Sequence, residues 1–272
     1  MIETSRSRFS VPVFMYHDLA RSPERVPASH RPYVLTTDRF HEQLEVLVGL
    51  GFRGGRLDAH LEGANPNPMA GLRHCIITFD DGHASNFTEA LPILLKAGFQ
   101  ATFFITVGWI GKAPYMDWNQ LKALAASGME IGSHSMTHRP PATLSPAELR
   151  VEMRDSRRML EDRLGLPVTS ASSPTGFFNS GMIAAAREAG YRALCSGRIA
   201  LWRDSAQAFG IPRLPIKAST TTSSLRRMAE GDRSLIGYLR AMQVARNGLK
   251  RALGVNTYLR LRRLLLRDPR NG

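Results

Sequence analysis

The stretch Cys75-Ile76-Ile77-Thr78-Phe79-Asp80-Asp81-Gly82 decides how the chain is read. Its apolar, β-branched start suits a strand covered on both faces. Two carboxylates stand where that strand stops, and Gly82 allows a sharp exit. In α/β architectures, ligands and catalytic groups gather at the C-terminal ends of strands. Adjacent carboxylates repel, so keeping both ionised takes a cation or a strong donor set. One can ligate a metal while the other, turned differently, acts as a base. A solvated Asp-Gly turn accounts for the pentapeptide Thr78–Gly82 equally well, and the choice falls to His134 and His138.

Outward from this stretch, strand-like and helix-like segments alternate. Residues 11–16 read as a first strand ending in Met15-Tyr16-His17-Asp18, and a polar, Pro-containing loop follows over 21–33. Phe40, Leu44, Leu47 and Val48 mark one face of a helix over 37–49, with a short strand near Phe52. Downstream come a helix over 89–97 closed by Gly98, a strand over 101–107, a helix over 118–127 and a short strand over 130–133. Ser145-Pro146-Ala147-Glu148 is a capping box with proline at the first helical position, and it starts a helix running to Leu164. A strand over 168–172, a helix over 180–189 and a strand over 191–195 complete the series. This βαβα order with short connections predicts a largely parallel sheet, open or rolled into a barrel.

The chain has 272 residues, 43% hydrophobic and 22% charged, enough for one large domain or two small ones. Its formal net charge of +13 admits nucleic acid, an anionic membrane or an acidic substrate as partner. Only Cys75 and Cys195 are present, which makes no disulfide framework and fits a reducing compartment. Residues 1–8 hold no continuous apolar run of the signal-peptide kind, and no segment reaches membrane-spanning length. The expected location is therefore the cytoplasm, with peripheral contact at the inner membrane face.

His134-Ser135-Met136-Thr137-His138 follows directly on a predicted strand. Histidines four apart share one face of a helical turn and can grip one ion. With one Asp they form a two-His, one-carboxylate set that leaves coordination positions open for water and substrate. Such a set suits zinc hydrolysis, and equally cobalt, nickel, manganese or iron. Asp-Asp and HxxxH, each at a strand end of one sheet, make a far more specific signal together than either does alone.

These two segments resemble the first two motifs of the polysaccharide deacetylases, the NodB-homology family of carbohydrate esterases. Ser173-Pro174-Thr175-Gly176 resembles the third motif in reduced form. Met15-Tyr16-His17, Pro92-Ile93-Leu94, Ala101-Thr102-Phe103-Phe104 and Ala189-Gly190-Tyr191 extend the resemblance over about residues 11–215. It implies a deformed (β/α) barrel of about seven strands that removes acetyl groups from amino sugars with one divalent metal. By residue, it implies Asp81, His134 and His138 as ligands, zinc first, and Asp80 as the general base. It implies His17 as the general acid, because nothing after Cys195 matches the Leu-x-x-x-His motif that supplies the acid in many members. Pro174 and the N–H of Thr175 would serve substrate and oxyanion, with Trp118 and Tyr115 as candidate sugar-stacking aromatics. The arginine that commonly orients the base from the third motif is missing, its region being occupied by Ser172, Ser173 and Thr175. His83 stands where an aromatic is common.

The expected division is a catalytic domain over 1–215 and a basic helical appendage over 216–272. From Ser234 onward there are nine Lys and Arg against Asp268 alone, so +8 of the net +13 lies there. Leu, Ile, Val, Met and Tyr are interleaved, as suits a helix lying on anionic lipid or a helical pair covering the barrel. No recognition motif for nucleic acid accompanies the charge. The expected function is removal of N-acetyl groups from a saccharide polymer or its lipid-linked precursor, in exopolysaccharide or cell-envelope biosynthesis. Two rivals remain: an iron oxygenase, whose ligands usually sit on a double-stranded β-helix, and a catalytically impaired deacetylase-like domain docking at a membrane polysaccharide-synthesis complex.

Overall fold

Strands and helices alternate from the first described residues onward. The computed structural model describes residues 10–63, 73–203 and 207–253. In chain order the first half runs β1 (Val13–Tyr16), β2 (Asp18–Ala20), β3 (Val34–Thr36), α1 (Thr37–Gly49), β4 (Phe52–Gly55), α2 (Leu57–Leu61), β5 (Arg73–Phe79), α3 (Leu91–Ala97) and β6 (Thr102–Ile105). It continues with α4 (Trp118–Ala126), β7 (Glu130–Ser133), α5 (Pro146–Leu164), β8 (Ser170–Ser172), α6 (Ser180–Glu188), β9 (Ala193–Cys195), β10 (Phe209–Ile211), β11 (Leu214–Pro215), α7 (Thr222–Ala229) and α8 (Arg233–Leu253).

The main sheet has nine strands among the described residues, in the order β10-β9-β8-β7-β6-β5-β1-β11 with β4 beside β5. All of its ladders are parallel. Ile76 of β5 pairs with both Val13 and Gly55, and Thr78 with both Met15 and Thr102. β4 and β6 therefore share one edge of β5, the first flanking its start and the second its end. The sheet's two outer strands, β10 and β11, are consecutive in the chain and joined only by Pro212 and Arg213. The sheet thus curls until its edges nearly meet, the deformed (β/α) barrel expected from the sequence. It has more strands than expected, because β10 and β11 are too short to show a period, and β2 and β3 form a separate two-stranded sheet.

The strand cores are apolar for the anticipated reason. Cys75, Ile76, Ile77 and Phe79 are each 0–1% exposed, covered from both sides as parallel strands are. Phe79 stacks on Phe103 at 4.9 Å between ring centroids. Helix boundaries follow local chemistry: Ser145 and Glu148 form the reciprocal capping box at the start of α5, and Asp117 with Gln120 does the same for α4. α7 belongs to the same core, contributing Leu225, Met228 and Ala229. Residues 254–272, where much of the basic tail falls, lie outside the described residues. No described helix is long and apolar enough to cross a membrane.

Candidate active site

Tyr16 of β1 pairs with Phe79 of β5, so His17 and Asp80 leave neighbouring strands side by side. Side chains alternate along a strand, and the turn after Phe79 breaks that alternation. Asp81 adopts a left-handed conformation at φ 76°, followed by Gly82 at φ 86°. The two carboxylates consequently have different surroundings.

Asp80 is 2% exposed and met by a guanidinium fork. Arg213 Nη1 donates to its Oδ1 at 2.7 Å and Nη2 to its Oδ2 at 2.8 Å. Nη2 also donates to Ser172 Oγ at 2.7 Å, and Nη1 to Thr78 Oγ1 at 3.3 Å. Burial by itself would raise the Asp80 carboxyl, but the Arg213 guanidinium outweighs it and holds the group well below the usual carboxylate range. Asp80 is a fixed anion. Arg213 is the residue that sequence reasoning missed, having sought such an arginine near the third motif. The available signal was an arginine inside the apolar run Ile211-Pro212-Arg213-Leu214, since a buried guanidinium needs a buried acid.

Asp81 is built differently. Its Oδ1 is buried without a hydrogen-bond partner among the described residues, and two imidazole nitrogens face it. His134 Nε2 stands at 3.5 Å and His138 Nε2 at 3.4 Å. Burial lifts the Asp81 carboxyl to about 6. His134 Nδ1 lies 3.0 Å from the Ser172 carbonyl, which can only accept, so Nδ1 carries the hydrogen and the Nε2 lone pair is left toward Asp81. Burial pushes His134 down to about 3 and also lowers His138. Both rings are neutral, as metal ligands must be.

The expected helical turn for these histidines is not what forms. Residues 134–140 are irregular, with Ser135 at φ 68° and His138 at φ 59°. Glu152 of α5 organises the loop by accepting from the backbone N–H groups of Met136 and Thr137, each at 2.9 Å, and from Thr137 Oγ1. Ser135 Oγ accepts from His138 N at 3.1 Å. The left-handed residues fold the segment back, leaving the two imidazoles 5.0 Å apart. One ligand atom each from Asp81, His134 and His138 falls within 4.8 Å of the others. A buried, unpartnered carboxylate oxygen facing two neutral imidazole nitrogens is a donor set that fits one divalent ion: zinc, cobalt, nickel or manganese.

The remaining candidates divide between the rim of this cluster and a separate groove. The His17 ring packs on Tyr33 at 5.3 Å, and its Nδ1 is buried without a partner among the described residues. Pro174 is buried, and exposed Thr175 sits in a left-handed turn at φ 58°, ψ 6°. The turn's bonds come from Gly176 N to Ser173 O and Phe177 N to Pro174 O, which leaves the Thr175 N–H out of them. Trp118 is not brought to the cluster. It lies at the start of α4 with Arg163 over its ring at 5.1 Å, in a groove whose lining includes none of Asp81, His134 and His138. The aromatic beside the cluster is Trp109, 4.9 Å from His138 and 4.6 Å from Tyr115. His83 continues this wall, 6.2 Å from Tyr115.

Residues 70–194 match the family model described as polysaccharide deacetylase. The peptidoglycan-N-acetylglucosamine deacetylase of Bacillus cereus is 31% identical over 117 residues, 43% of this chain and 53% of that protein. A chitooligosaccharide deacetylase of Bradyrhizobium is 27% identical over 133 residues, 48% of this chain and 58% of that protein. The chain thus spans about half the length of these curated relatives. Among solved structures, the Streptococcus pyogenes deacetylase PplD, in complex with acetate, superposes with a TM-score of 0.73 at 22% identity. That match covers 82% of this chain and 99% of PplD, and it establishes the shared fold.

Proposed function

Since residues 70–194 belong to the polysaccharide deacetylase family, we propose that this chain hydrolyses N-acetyl groups from the amino sugars of a saccharide polymer or of its lipid-linked precursor. The observation that carries the reading is the buried, unpartnered Asp81 oxygen facing two neutral imidazoles, beside an Asp80 locked by Arg213.

Asp81, His134 and His138 would hold one divalent ion, which when bound polarises an acetamide carbonyl and acidifies water. Asp80, kept ionised by Arg213, takes the proton of the attacking water. The amide C–N bond breaks, acetate leaves, and His17 returns a proton to the departing amine. The Thr175 N–H, on the buried Pro174 support, donates to the developing oxyanion. Trp109 and Tyr115 border the sugar, the role the sequence suggested for Trp118 and Tyr115. Residues 1–215 carry the reaction; of residues 216–272, expected as an appendage, α7 packs into the same core, and the basic segment from Ser234 onward is the added part. The reaction belongs to exopolysaccharide or cell-envelope synthesis, with the basic C-terminal segment on an anionic inner membrane face.

Metal analysis and acetate release from N-acetylglucosamine oligomers test this together. Wild type should hold one ion per chain and release acetate. The His134→Ala, His138→Ala double variant should lose both. Stoichiometric metal in that variant, or no acetate from the metal-loaded wild type across several oligomer lengths, counts against the reading.

A further inference from the structure

The rings beside the candidate ligands form a row. Trp109 packs on His138, Tyr115 on Trp109 and His83 on Tyr115, at 4.9, 4.6 and 6.2 Å between centroids. His83 ends the row and is not one of the three clustered ligands. Its backbone is stitched to the segment that carries Tyr115. His83 forms an antiparallel bridge with Tyr115, Met116 N donates to the Gly82 carbonyl at 3.0 Å, and Ala84 N donates to the Pro114 carbonyl at 2.9 Å. That end of the row is therefore anchored on both sides of His83.

Hydrogen bonding also fixes which ring nitrogen carries the hydrogen. Ser85 N, which can only donate, reaches His83 Nδ1 at 3.1 Å. Ser85 Oγ accepts from Leu19 N at 3.0 Å and stands 2.8 Å from the same Nδ1, to which it gives its own hydrogen. Nδ1 is an acceptor from both groups, so the hydrogen of the ring sits on Nε2. Ser85 and Leu19 are both buried, which shields this arrangement from water. Nε2 itself has no partner among the described residues and is not sealed from solvent. A half-buried ring thus offers a single N–H outward, in a direction set by its neighbours.

We propose that His83 is a specificity-determining residue, donating from Nε2–H to an acceptor oxygen on the sugar that adjoins the one losing its acetyl group. The reacting acetamide belongs at Asp81, His134 and His138, and Trp109, in contact with His138, borders its sugar. A saccharide continuing along the row meets Tyr115 and then His83. There the apolar face of the next sugar can lie on the Tyr115 ring, while one of its oxygens accepts from Nε2–H. In a site walled by rings, one placed donor fixes orientation and selects among chains. The saccharide comes from the functional reading above, on which the proposal rests; the direction of the donor comes from Ser85.

The test compares the zinc-loaded full chain with His83→Phe, which keeps a ring and loses the donor, and with His83→Gln, whose amide can accept from Ser85 and donate outward. Acetate release is measured on N-acetylglucosamine and on its trimer, triacetylchitotriose. A neutral hydrogen bond contributes about two- to tenfold to an equilibrium. The ratio of kcat/KM on the trimer to that on the monosaccharide should fall by about that factor in His83→Phe, through KM, and recover in His83→Gln. Metal content and melting temperature should match wild type in both. Calorimetric binding of the trimer, in an Asp80→Asn background that halts turnover, should weaken by the same factor. If His83→Phe fails to fold, wild type carrying isotope-labelled histidine gives a second measurement by NMR. His83 should show its hydrogen on Nε2, and that signal should move with the trimer and not with the monosaccharide. An unchanged ratio in His83→Phe, trimer binding indifferent to that substitution, an equal loss on both substrates, or a hydrogen on Nδ1 each overturns the proposal. Weaker trimer binding in His83→Phe with no acetate from any zinc-loaded protein would sink the functional reading and leave the saccharide contact intact.

Discussion

Arg213 and Asp80 are 133 positions apart in sequence and in bidentate contact in space. Removing one partner of a buried ion pair strands the other, at about 3–5 kcal/mol. Arg213→Ala is therefore expected to lower unfolding stability by about that amount and to lose turnover, whereas Arg213→Lys restores charge without the fork and should recover only part of either. Denaturant titration with acetate release checks both. Asp80→Asn should keep its metal and lose about 10²–10⁴-fold in turnover, and His17→Ala likewise. Near-normal turnover in His17→Ala would return that histidine to a structural role. At the other end of the barrel, Glu130 accepts from Thr102 Oγ1 at 2.6 Å and Asp58 N at 3.0 Å. Burial raises its carboxyl from 4.5 to about 7. Its folded-state value is raised, so its stabilising contribution is full below the unfolded value and is lost as pH climbs toward 7. Glu130→Gln should flatten that part of the stability–pH curve relative to wild type.

Elements explain why much of the site was legible and some was not. The strand ending in Asp80-Asp81, the histidine pair after β7 and the cap of α5 each announce themselves within a few residues. Glu152 does not: a glutamate on a charged helix looks solvated until the loop it serves is seen across α5. Glu152→Ala should loosen the His134–His138 loop and weaken metal affinity by roughly 10–100-fold, with little change in helix content, measurable by competition with a chromophoric chelator. Glu152→Gln, which can accept from only part of the same donor set, should fall between. The arginine that holds Asp80 was sought near Ser173-Pro174 because family resemblance is sequential, whereas β10 and β11 are spans of three and two residues that carry no readable period.

At the scale of the whole molecule, the proposed ion would be coupled to the fold. Because the ligands come from the ends of β5 and β7, an ion bound only by the native state should stabilise it by about 2.7 kcal/mol at a hundredfold excess over Kd. Chelation should lower the melting temperature of wild type, and should leave the His134→Ala, His138→Ala protein unmoved. The parallel architecture was legible because βαβ alternation is a global pattern. Alternation alone left the sheet open or rolled; the family resemblance implied the barrel, but not the two-residue link on which its closure rests. Pro212 and Arg213 link the two edge strands of the sheet, so one short covalent step closes the hydrogen-bonded circumference, and the arginine in that step reaches Asp80 just after β5 and Ser172 of β8. The girth of the barrel and the seating of Asp80 are then a single adjustment. A glycine inserted between Ile211 and Pro212 adds slack to the circumference and should cost far more turnover than the same insertion between exposed Glu62 and Gly63, even where both proteins fold.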